Sequence, residues 1–536
     1  MGQTLQTLDY AVFLVYFVIV ASYGYWIYQR KKSAETSASD FFLAEGALTW
    51  WAIGASLIAS NISAEQFVGM SGSGFAMGLA IASYEWMAAA TLLVVAIFFM
   101  PGYITNKIFT MPQFLEKRYS PLVATMMAVF WLLVYVFVNL TSILYLGAIA
   151  VSTISGFSFT ACAIFLAIFA IVITLGGMKV IGYTDVIQVA ILVLGGLATT
   201  YLALDLVAQQ FGTQGAMAGL SLIKEQAPDH FDMILDKSNK YYKDLPGLTV
   251  LIGAMWIANL NYWGCNQYIT QRALGAKLET ARSGLLFAAF LKLLMPIIVV
   301  IPGIAAFVLH QKGMFQQEMV NAAGEVKPDK AYPVLLNLLG PGLKGLSFAA
   351  LTAAIVASLA GKCNSIATIF TLDIYKKFID KGAGEDKQVR IGRWSIIAAM
   401  LIAILVAPQL QKLEQGFQFI QEFTGLISPG VVAIFLLGFF WKRATANAAL
   451  VAALATIPLG LLFKAQLTSM PFLNQMGWIF LILVAAMVAI SLADPKSKNN
   501  PNAMRVDPSM FRTSPTFAVG ALLITGVLAA LYIVFW

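Results

Sequence analysis

Polar residues that could bind a polar solute interrupt two strongly apolar segments near the start of the chain. The run Ala59–Gln66 contains an asparagine, a glutamate and a glutamine, and the run Ser83–Trp86 contains a second glutamate. A charge at the centre of a bilayer costs roughly 2.5–3.5 kcal/mol on insertion scales, so such groups usually mark a pathway or a binding site. Amides donate and accept hydrogen bonds, and carboxylates accept them. The pattern therefore predicts a protein that handles a polar solute inside a membrane.

The composition places these residues in a membrane protein. Hydrophobic residues make up 60% of the 536 residues and charged residues only 11%, and the mean hydropathy is +0.80. A soluble domain has about 25% charged residues. Segments of about 20 apolar residues can span a bilayer. Fourteen such segments predict an all-α integral membrane protein with 14 transmembrane helices: 10–28, 49–71, 78–103, 121–150, 158–175, 180–205, 247–264, 283–310, 345–375, 389–407, 417–439, 444–463, 472–492 and 515–536.

The basic residues orient these helices. The cluster Arg30–Lys32 follows the first segment, and cytoplasmic loops carry an excess of lysine and arginine. This places the N-terminus outside, and an even number of spans places the C-terminus outside too. The net charge of +8 is then explained by loop orientation, so we expect no nucleic-acid partner. We expect a multi-pass protein of the cell (inner) membrane, in contact with membrane lipid.

Two groups of five helices have a matching polar interruption in their first helix. The interruptions are Ser60–Ser63 and Asn259–Gly264, and their pairing predicts a midplane site built from broken helices. Polar contacts between intact helices are the alternative. The resulting division is residues 1–48 as an extra N-terminal helix and cytoplasmic loop, 49–205 as a first inverted repeat, 206–246 as an external loop, 247–440 as a second inverted repeat and 441–536 as three C-terminal helices.

Four motifs resemble the solute:sodium symporter family, and in particular its sodium/glucose cotransporter branch. They are Ser60–Gly69, Ala82–Met87, Gly182–Gln188 and Leu372–Tyr375. The resemblance implies a leucine-transporter-type core of two inverted five-helix repeats, with one helix before it and three after it. It also implies sodium-coupled symport of a monosaccharide resembling galactose or glucose into the cell by alternating access, with sodium as the co-transported ion.

The resemblance also implies the residues that bind the sugar. Their amide, carboxylate and ammonium groups suit hydroxyls that both donate and accept. The outer gate implied by the family consists of Met70, Tyr84 and Phe417, and Tyr262 is the inner gate. The implied sugar-binding residues are Asn61, Gln66, Glu85, Asn259, Lys292 and Gln421.

A sodium site is implied on the same basis. Its ligands are the carbonyl oxygens of Ala59, Ile62 and Ala354 and the hydroxyl of Ser358, and Asp185 lines the exit route for the ion. The family usually has two adjacent hydroxyl residues on this helix. This chain has alanine at position 357, so one ligand is missing unless water replaces it.

A lysine one helical turn beyond Ser358 is a second departure from the family pattern. Lys362 occupies a position that is apolar in the relatives considered. It could pair with Asp185 in the cytoplasmic vestibule, or extend harmlessly to the membrane surface. Its ammonium could also replace Na⁺ and alter the coupling.

Sugar symport is not the only function that the family resemblance allows. The family also carries inositols, nucleosides, sialic acids and proline, and the exact hexose is open because position 88 is alanine. The chain is not expected to be an enzyme, since its two histidines, His230 and His310, are isolated and no paired carboxylates mark a membrane-surface site. Substrate identity, stoichiometry and oligomeric state are left open.

Overall fold

The computed structural model describes residues 5–30, 48–108, 110–175, 178–320, 324–412, 416–504 and 506–536. The side chains of residues 21, 24, 25, 27–30 and 178–185 are not among those described, so the predictions for Asp185 and for the basic cluster at 30–32 lie outside the described residues. Within the described ranges the protein is helical. The β pairing described is a single bridge between Val320 and Val326.

Each of the fourteen apolar segments forms helix. Within the described residues, nine helices are long and apolar enough to cross a membrane, or ten if a bent pair is counted as one span. The main helices are Thr7–Arg30, Trp50–Asn61, Ser71–Met77, Ser83–Val94, Pro121–Val134, Thr141–Ser155, Phe159–Thr174, Met178–Gln210, Ala216–Gln226, Ala254–Gly264, Gln267–Leu274, Leu278–Gln311, Leu343–Thr368, Glu385–Val406, Gly416–Gly425, Ser428–Phe440, Ala446–Gln466, Phe472–Ala493 and Pro515–Val534.

The first predicted interruption is confirmed. The helix Trp50–Asn61 ends where Ile62 adopts an extended conformation, with φ −74° and ψ 94°. A π-helical turn, Glu65–Met70, then carries the chain into the helix Ser71–Met77. Such wide turns frequently occur at functional sites. The Ile62 N–H still donates to the Ile58 carbonyl, whereas the Ser63 N–H leaves the helical pattern and donates to the side chain of Gln66.

The second interruption was predicted a few residues too early. Asn259–Gly264 is helical throughout, as part of the helix Ala254–Gly264. The chain breaks at Cys265 and Asn266, before Gln267–Leu274 begins. The Asn266 side chain caps this next helix by accepting from the Tyr268 N–H at 3.1 Å. Asparagine is a strong helix-capping residue, which explains why the break falls there.

A third break was not predicted. The apolar segment 417–439 consists of two helices, Gly416–Gly425 and Ser428–Phe440, bent by 48° at the join. Pro429 lies in the first turn of the second helix, where a missing N–H costs nothing. The hydroxyl of Thr456 donates to the Leu426 carbonyl at 3.1 Å and accepts from the Gly430 N–H at 3.2 Å. These contacts satisfy backbone groups that the bend leaves free.

The long helix Leu278–Gln311 crosses between the broken segments. It packs against Trp50–Asn61, Ser71–Met77 and Ser83–Val94. It contains two prolines, Pro296 and Pro302. Proline has no N–H, so Pro296 cannot donate to the carbonyl of residue 292, four positions earlier. The helix therefore presents Lys292 beside a weakened turn at the centre of the bundle.

Candidate functional site

A central cavity lies between the first two broken helices and the bent pair. Counting the part that is open to solvent, it occupies about 880 Å³. All six residues implied for sugar binding line it: Asn61, Gln66, Glu85, Asn259, Lys292 and Gln421.

Lys292 is at the centre of the hydrogen-bond network around this central cavity. Its ammonium forms an ion pair with Glu85 at 2.5 Å, and the two side chains are 1% and 3% exposed. It also donates to the side-chain oxygen of Asn61, and it lies 5.1 Å from the ring centre of Trp263. An ammonium carries three N–H groups, and these contacts use two of them within the described part of the chain. A bound hydroxyl can accept the third.

The amides of the cavity are held in place by contacts between distant segments. The side-chain nitrogen of Asn61 donates to the Tyr262 hydroxyl at 3.2 Å, which connects the two repeats predicted from the sequence. The side-chain nitrogen of Asn259 donates to the Met255 carbonyl at 3.1 Å, one turn earlier in its helix. Each NH₂ group has two N–H donors and uses one of them in these contacts, so both amides can still donate to a ligand as well as accept from it.

Gln66 holds the broken turn as well as lining the cavity. Its side-chain oxygen accepts from the Ser63 N–H at 3.2 Å, and the Ser63 hydroxyl accepts from the Glu65 N–H at 3.1 Å. This reciprocal arrangement is a form of capping box, which stabilises the start of a helix. The Gln66 oxygen is therefore committed to the backbone, whereas its NH₂ group is suited to donate into the cavity.

Two of the three residues predicted for the outer gate are in contact with each other. The rings of Tyr84 and Phe417 meet edge to face, with centroids 5.3 Å apart. Phe417 is 2% exposed and Tyr84 is 6% exposed. Both line the cavity, as does the inner-gate residue Tyr262, whereas Met70 is fully buried beside them and does not line it. Phe417 belongs to the helix Gly416–Gly425, hereafter called the gate helix after this prediction.

Two of the oxygen atoms predicted to bind sodium, those of Ala59 and Ser358, lie close together at the first break. The Ser358 hydroxyl is 3.4 Å from the carbonyl oxygen of Ala59 and 3.3 Å from that of Ser60. These are long separations for an O–H···O hydrogen bond, which is typically 2.7–2.8 Å. An octahedral ion with oxygen bonds of about 2.4 Å holds neighbouring oxygens about 3.4 Å apart. The spacing therefore suits two oxygens that share a Na⁺ ion, while Ala354 lies one turn before Ser358 on the same helix.

Lys362 does not extend to the membrane surface, so that prediction is wrong. The residue is 3% exposed and lines the central cavity. Its ammonium lies 3.9 Å from the ring centre of Tyr268 and 4.4 Å from that of Tyr135. It also donates to the side-chain oxygen of Asn139 at 3.4 Å. Aromatic faces attract cations, so the charge is held by two rings, one amide and the electrostatic attraction of Glu65.

Sequence reasoning missed the group of residues that holds Lys362 and braces the second break. The Tyr268 hydroxyl donates to the Ser60 carbonyl at 2.5 Å and lies 3.5 Å from the Ser358 carbonyl. Tyr135 donates to the side-chain oxygen of Asn266. The available signal was Asn266, two residues after the predicted interruption, followed by a tyrosine two residues later. These contacts join both breaks to the helix that carries Lys362.

Broken helices, a buried polar cavity and aromatic closure define a membrane transporter of small polar solutes. The sequence profile of the sodium:solute symporter family matches residues 41–456. This protein belongs to that family, which makes it a multi-pass membrane protein.

Individual relatives extend the likeness over the whole chain. The sodium/glucose cotransporter of Vibrio parahaemolyticus is 48% identical over 539 residues, covering 99% of each chain. The sodium/myo-inositol cotransporter 2 of Sus scrofa is 34% identical, covering 86% of this chain and 70% of the relative. A substrate-bound, outward-open Na⁺-coupled sialic acid symporter has the same fold, with a TM-score of 0.78, 21% identity and coverage of 91% of this chain and 98% of the other.

Proposed function

We propose that the protein is a symporter that uses the sodium gradient to carry a monosaccharide into the cell by alternating access. The observation that carries this proposal is the buried group formed by Lys292, Glu85 and Asn61, which lies directly beneath the closed Tyr84–Phe417 gate. A sugar hydroxyl without a partner costs about 1–3 kcal/mol when it is buried. A cavity lined by amides, a carboxylate and an ammonium avoids that cost for a neutral polyol.

Charge balance within the cavity favours a neutral substrate. Lys292 and Glu85 neutralise each other at 2.5 Å, and the charge of Lys362, which also lines the cavity, is opposed by that of Glu65. An anionic substrate such as a sialic acid needs an unopposed basic group, and a zwitterion such as proline needs a separate place for each charge. The names of the relatives at 48% and 34% identity point the same way, to glucose and to myo-inositol. We therefore place a hexose first and an inositol second.

The proposed architecture follows the family pattern. The core consists of the two inverted repeats at 49–205 and 247–440, with 14 transmembrane helices in total and both termini outside the cell membrane. Supporting this arrangement, Asn61 in the first repeat contacts Tyr262 in the second, so the broken helices meet at the cavity.

Sodium supplies the driving force. One Na⁺ crossing a potential of about 150 mV releases about 3.5 kcal/mol, and a tenfold concentration gradient adds about 1.4 kcal/mol. The ion binds between Ala59 and Ser358 at the first break and holds the turn that positions Asn61 and Gln66. Sugar affinity therefore depends on whether the ion is present.

Uptake into proteoliposomes tests this function. Purified protein is reconstituted, and uptake of labelled glucose, galactose, myo-inositol, sialic acid and proline is measured with and without an inward Na⁺ gradient at fixed voltage. Sodium-dependent accumulation of a hexose or inositol supports the proposal. Accumulation of only a charged substrate contradicts it, as does hexose uptake that does not change with Na⁺.

A second candidate is sugar transport with altered cation coupling. The observation that favours it is the position of Lys362, whose ammonium lies against Tyr268 while the hydroxyl of that tyrosine contacts the Ser60 carbonyl of the sodium-site turn. The alanine at position 357 also removes a usual ligand. If the lysine replaces the ion, uptake in the same assay is independent of Na⁺, and the Lys362→Met variant acquires a Na⁺ requirement.

A further inference from the structure

We propose that Asp329 is a latch that holds the gate helix closed and releases it as the external solution becomes more alkaline. Asp329 lies in the short turn Pro328–Lys330, between the membrane helices Leu278–Gln311 and Leu343–Thr368. This inference rests on the proposed function for the identity of the outer side. It concerns how the cavity opens, and it does not depend on which solute the cavity binds.

The first contact of the latch is with the gate helix itself. The Oδ2 atom of Asp329 accepts a hydrogen bond of 3.0 Å from the N–H of Gly416, the first residue of that helix. The next residue, Phe417, packs on Tyr84 and covers the cavity. Outward opening has to move Phe417 away from Tyr84, so it pulls on the bond between Gly416 and Asp329. The latch is therefore attached one residue from the moving gate.

The second contact is with the broken helix that carries the binding residues. A Cβ atom added to Gly72 would lie 2.7 Å from the Oδ1 atom of Asp329 and 2.9 Å from its Cα. Only glycine allows this approach, because no side chain separates the helix Ser71–Met77 from the aspartate. One carboxyl group therefore touches both the second half of the broken helix and the start of the gate helix.

Protons from solution can reach this carboxyl group. Asp329 is 3% exposed, yet it lines a second cavity of about 690 Å³ whose rim includes the exposed residue Gln411. Within the described part of the chain, Oδ1 has no hydrogen-bond partner. A buried carboxylate with one free oxygen is expensive when ionised. A proton on the free oxygen removes that cost and leaves Oδ2 to accept from Gly416.

The surrounding charges only partly compensate for burial. Burial raises the pKa of Asp329 to about 7, although the Gly416 N–H and the Lys327 ammonium both lower it. Lys330 in the same turn donates to the Val320 carbonyl at 2.5 Å, and on the gate helix Glu422 pairs with Lys464. The other titratable groups on the elements packed around the turn are Tyr145, Tyr332 and Glu65, and Glu414 lies outside the described residues.

The direction of the pH effect follows from the raised pKa. When the gate opens, Gly416 moves away and water reaches Asp329, so the pKa of its carboxyl falls toward the ordinary value. The closed state therefore binds the proton more tightly than the open state does. Stabilisation of the closed state is complete at acid pH and is lost as pH rises through about 7. Alkaline external solution favours the open gate.

Labelling of a cysteine beneath the gate tests the latch. Ala88 lines the central cavity below Tyr84 and Phe417, so an Ala88→Cys variant reacts with a charged, membrane-impermeant thiol reagent only when the gate opens. The labelling rate of this variant is divided by the labelling rate of the double variant Ala88→Cys/Asp329→Asn. The division cancels the pH dependence of the thiol itself. We expect this ratio to rise several-fold from about pH 6 to about pH 8, and at most tenfold per pH unit.

Two controls keep the test decisive. The exposed carboxyl of Asp236 is not part of the latch. The labelling rate of Ala88→Cys divided by that of Ala88→Cys/Asp236→Asn should therefore not change with pH. If the Asp329→Asn variant does not fold, Ser221→Cys on the exposed helix Ala216–Gln226 supplies the reference thiol in the wild-type background. A ratio that does not change with pH overturns the latch. Loss of uptake with a rising ratio would instead contradict only the proposed function.

Discussion

Two buried lysines line the same cavity, and their surroundings differ in kind. Lys292 has a carboxylate and an amide oxygen as partners, which are strong and directional acceptors. Lys362 has two aromatic faces, one amide oxygen at 3.4 Å and the longer-range attraction of the Glu65 carboxyl. The first ammonium is a fixed part of a hydrogen-bonding surface. The second is held mainly by non-directional attraction, so its position and its charge can respond to what binds nearby.

The two lysines show two ways in which a membrane protein can stabilise a buried positive charge. A buried ion pair is costly to break by removing one partner, so Lys292, Glu85 and Asn61 form a fixed group in the cavity wall, which we propose binds the solute. A cation held by rings loses less when it is moved. Lys362 lies beside the tyrosine that supports the sodium-site turn, and we infer that it adjusts ion binding without forming part of the sugar surface.

Replacing Lys292 by alanine should give the largest effect. The change leaves Glu85 buried without its partner, which costs about 3–5 kcal/mol when one member of a buried pair is removed. We expect sodium-dependent uptake to be abolished and the melting temperature to fall. Lys464→Ala is the matched control, because its pair with Glu422 is half exposed and worth about 0–1 kcal/mol. Uptake that persists in Lys292→Ala would remove this residue from the site.

Changing Gln66 separates its two roles. Gln66→Ala loses both the cap on Ser63 and the amide facing the cavity, so we expect uptake to be abolished and stability to fall by about 1 kcal/mol. Gln66→Glu keeps an oxygen for the Ser63 N–H but loses the NH₂ donor. If that variant recovers stability but not uptake, the donor serves the solute. Full uptake in both variants would contradict the proposed site.

Sodium affinity should depend on the number of hydroxyl groups that the helix Leu343–Thr368 places at positions 357 and 358. Ser358→Ala removes an oxygen that lies 3.4 Å from the Ala59 carbonyl. Loss of one ligand worth about 1.4 kcal/mol raises the Na⁺ concentration for half-maximal uptake about tenfold. Ala357→Ser restores the second hydroxyl usual in the family and should lower that concentration. If neither variant shifts the sodium dependence, the ion binds elsewhere.

Removing the charge of Lys362 should have the smallest effect. In Lys362→Met the cavity loses a cation near the sodium site, so reduced repulsion should tighten Na⁺ binding by a few-fold while sugar affinity stays nearly constant. Lys362→Arg retains the charge and serves as the control. A large loss of sugar affinity in Lys362→Met would show that both lysines belong to the sugar surface, which would break the comparison.

The sequence located the first break, placed the second a few residues too early and did not indicate the third. The difference has a physical reason. At Ser63 the capping residues, the break and the cavity-lining polar groups all fall within a few positions. In the second repeat they are separated, because Asn259 and Tyr262 reach the cavity from intact helix while the break comes later, at Asn266. The third break depends on Thr456, which lies in another helix.

The partners in the site could not be read from local sequence. Lys292 stood out as a charge within an apolar helix, but its contacts with Asn61 and Glu85 join positions more than 200 residues apart. Likewise, Lys362 was recognised as unusual, whereas the aromatic faces that hold it belong to helices far away in the chain. Periodicity and capping signals locate elements, and packing between distant elements decides which side chains meet.

The most direct test of the account is a cryo-EM map of the protein in lipid nanodiscs with Na⁺ and saturating sugar. The account predicts density for a sugar ring within hydrogen-bonding distance of Lys292, Glu85 and Asn61, with a separate ion between the Ala59 carbonyl and the Ser358 hydroxyl. Sugar density away from this network would contradict it. So would a map in which the helix containing Ile62 and Ser63 runs unbroken.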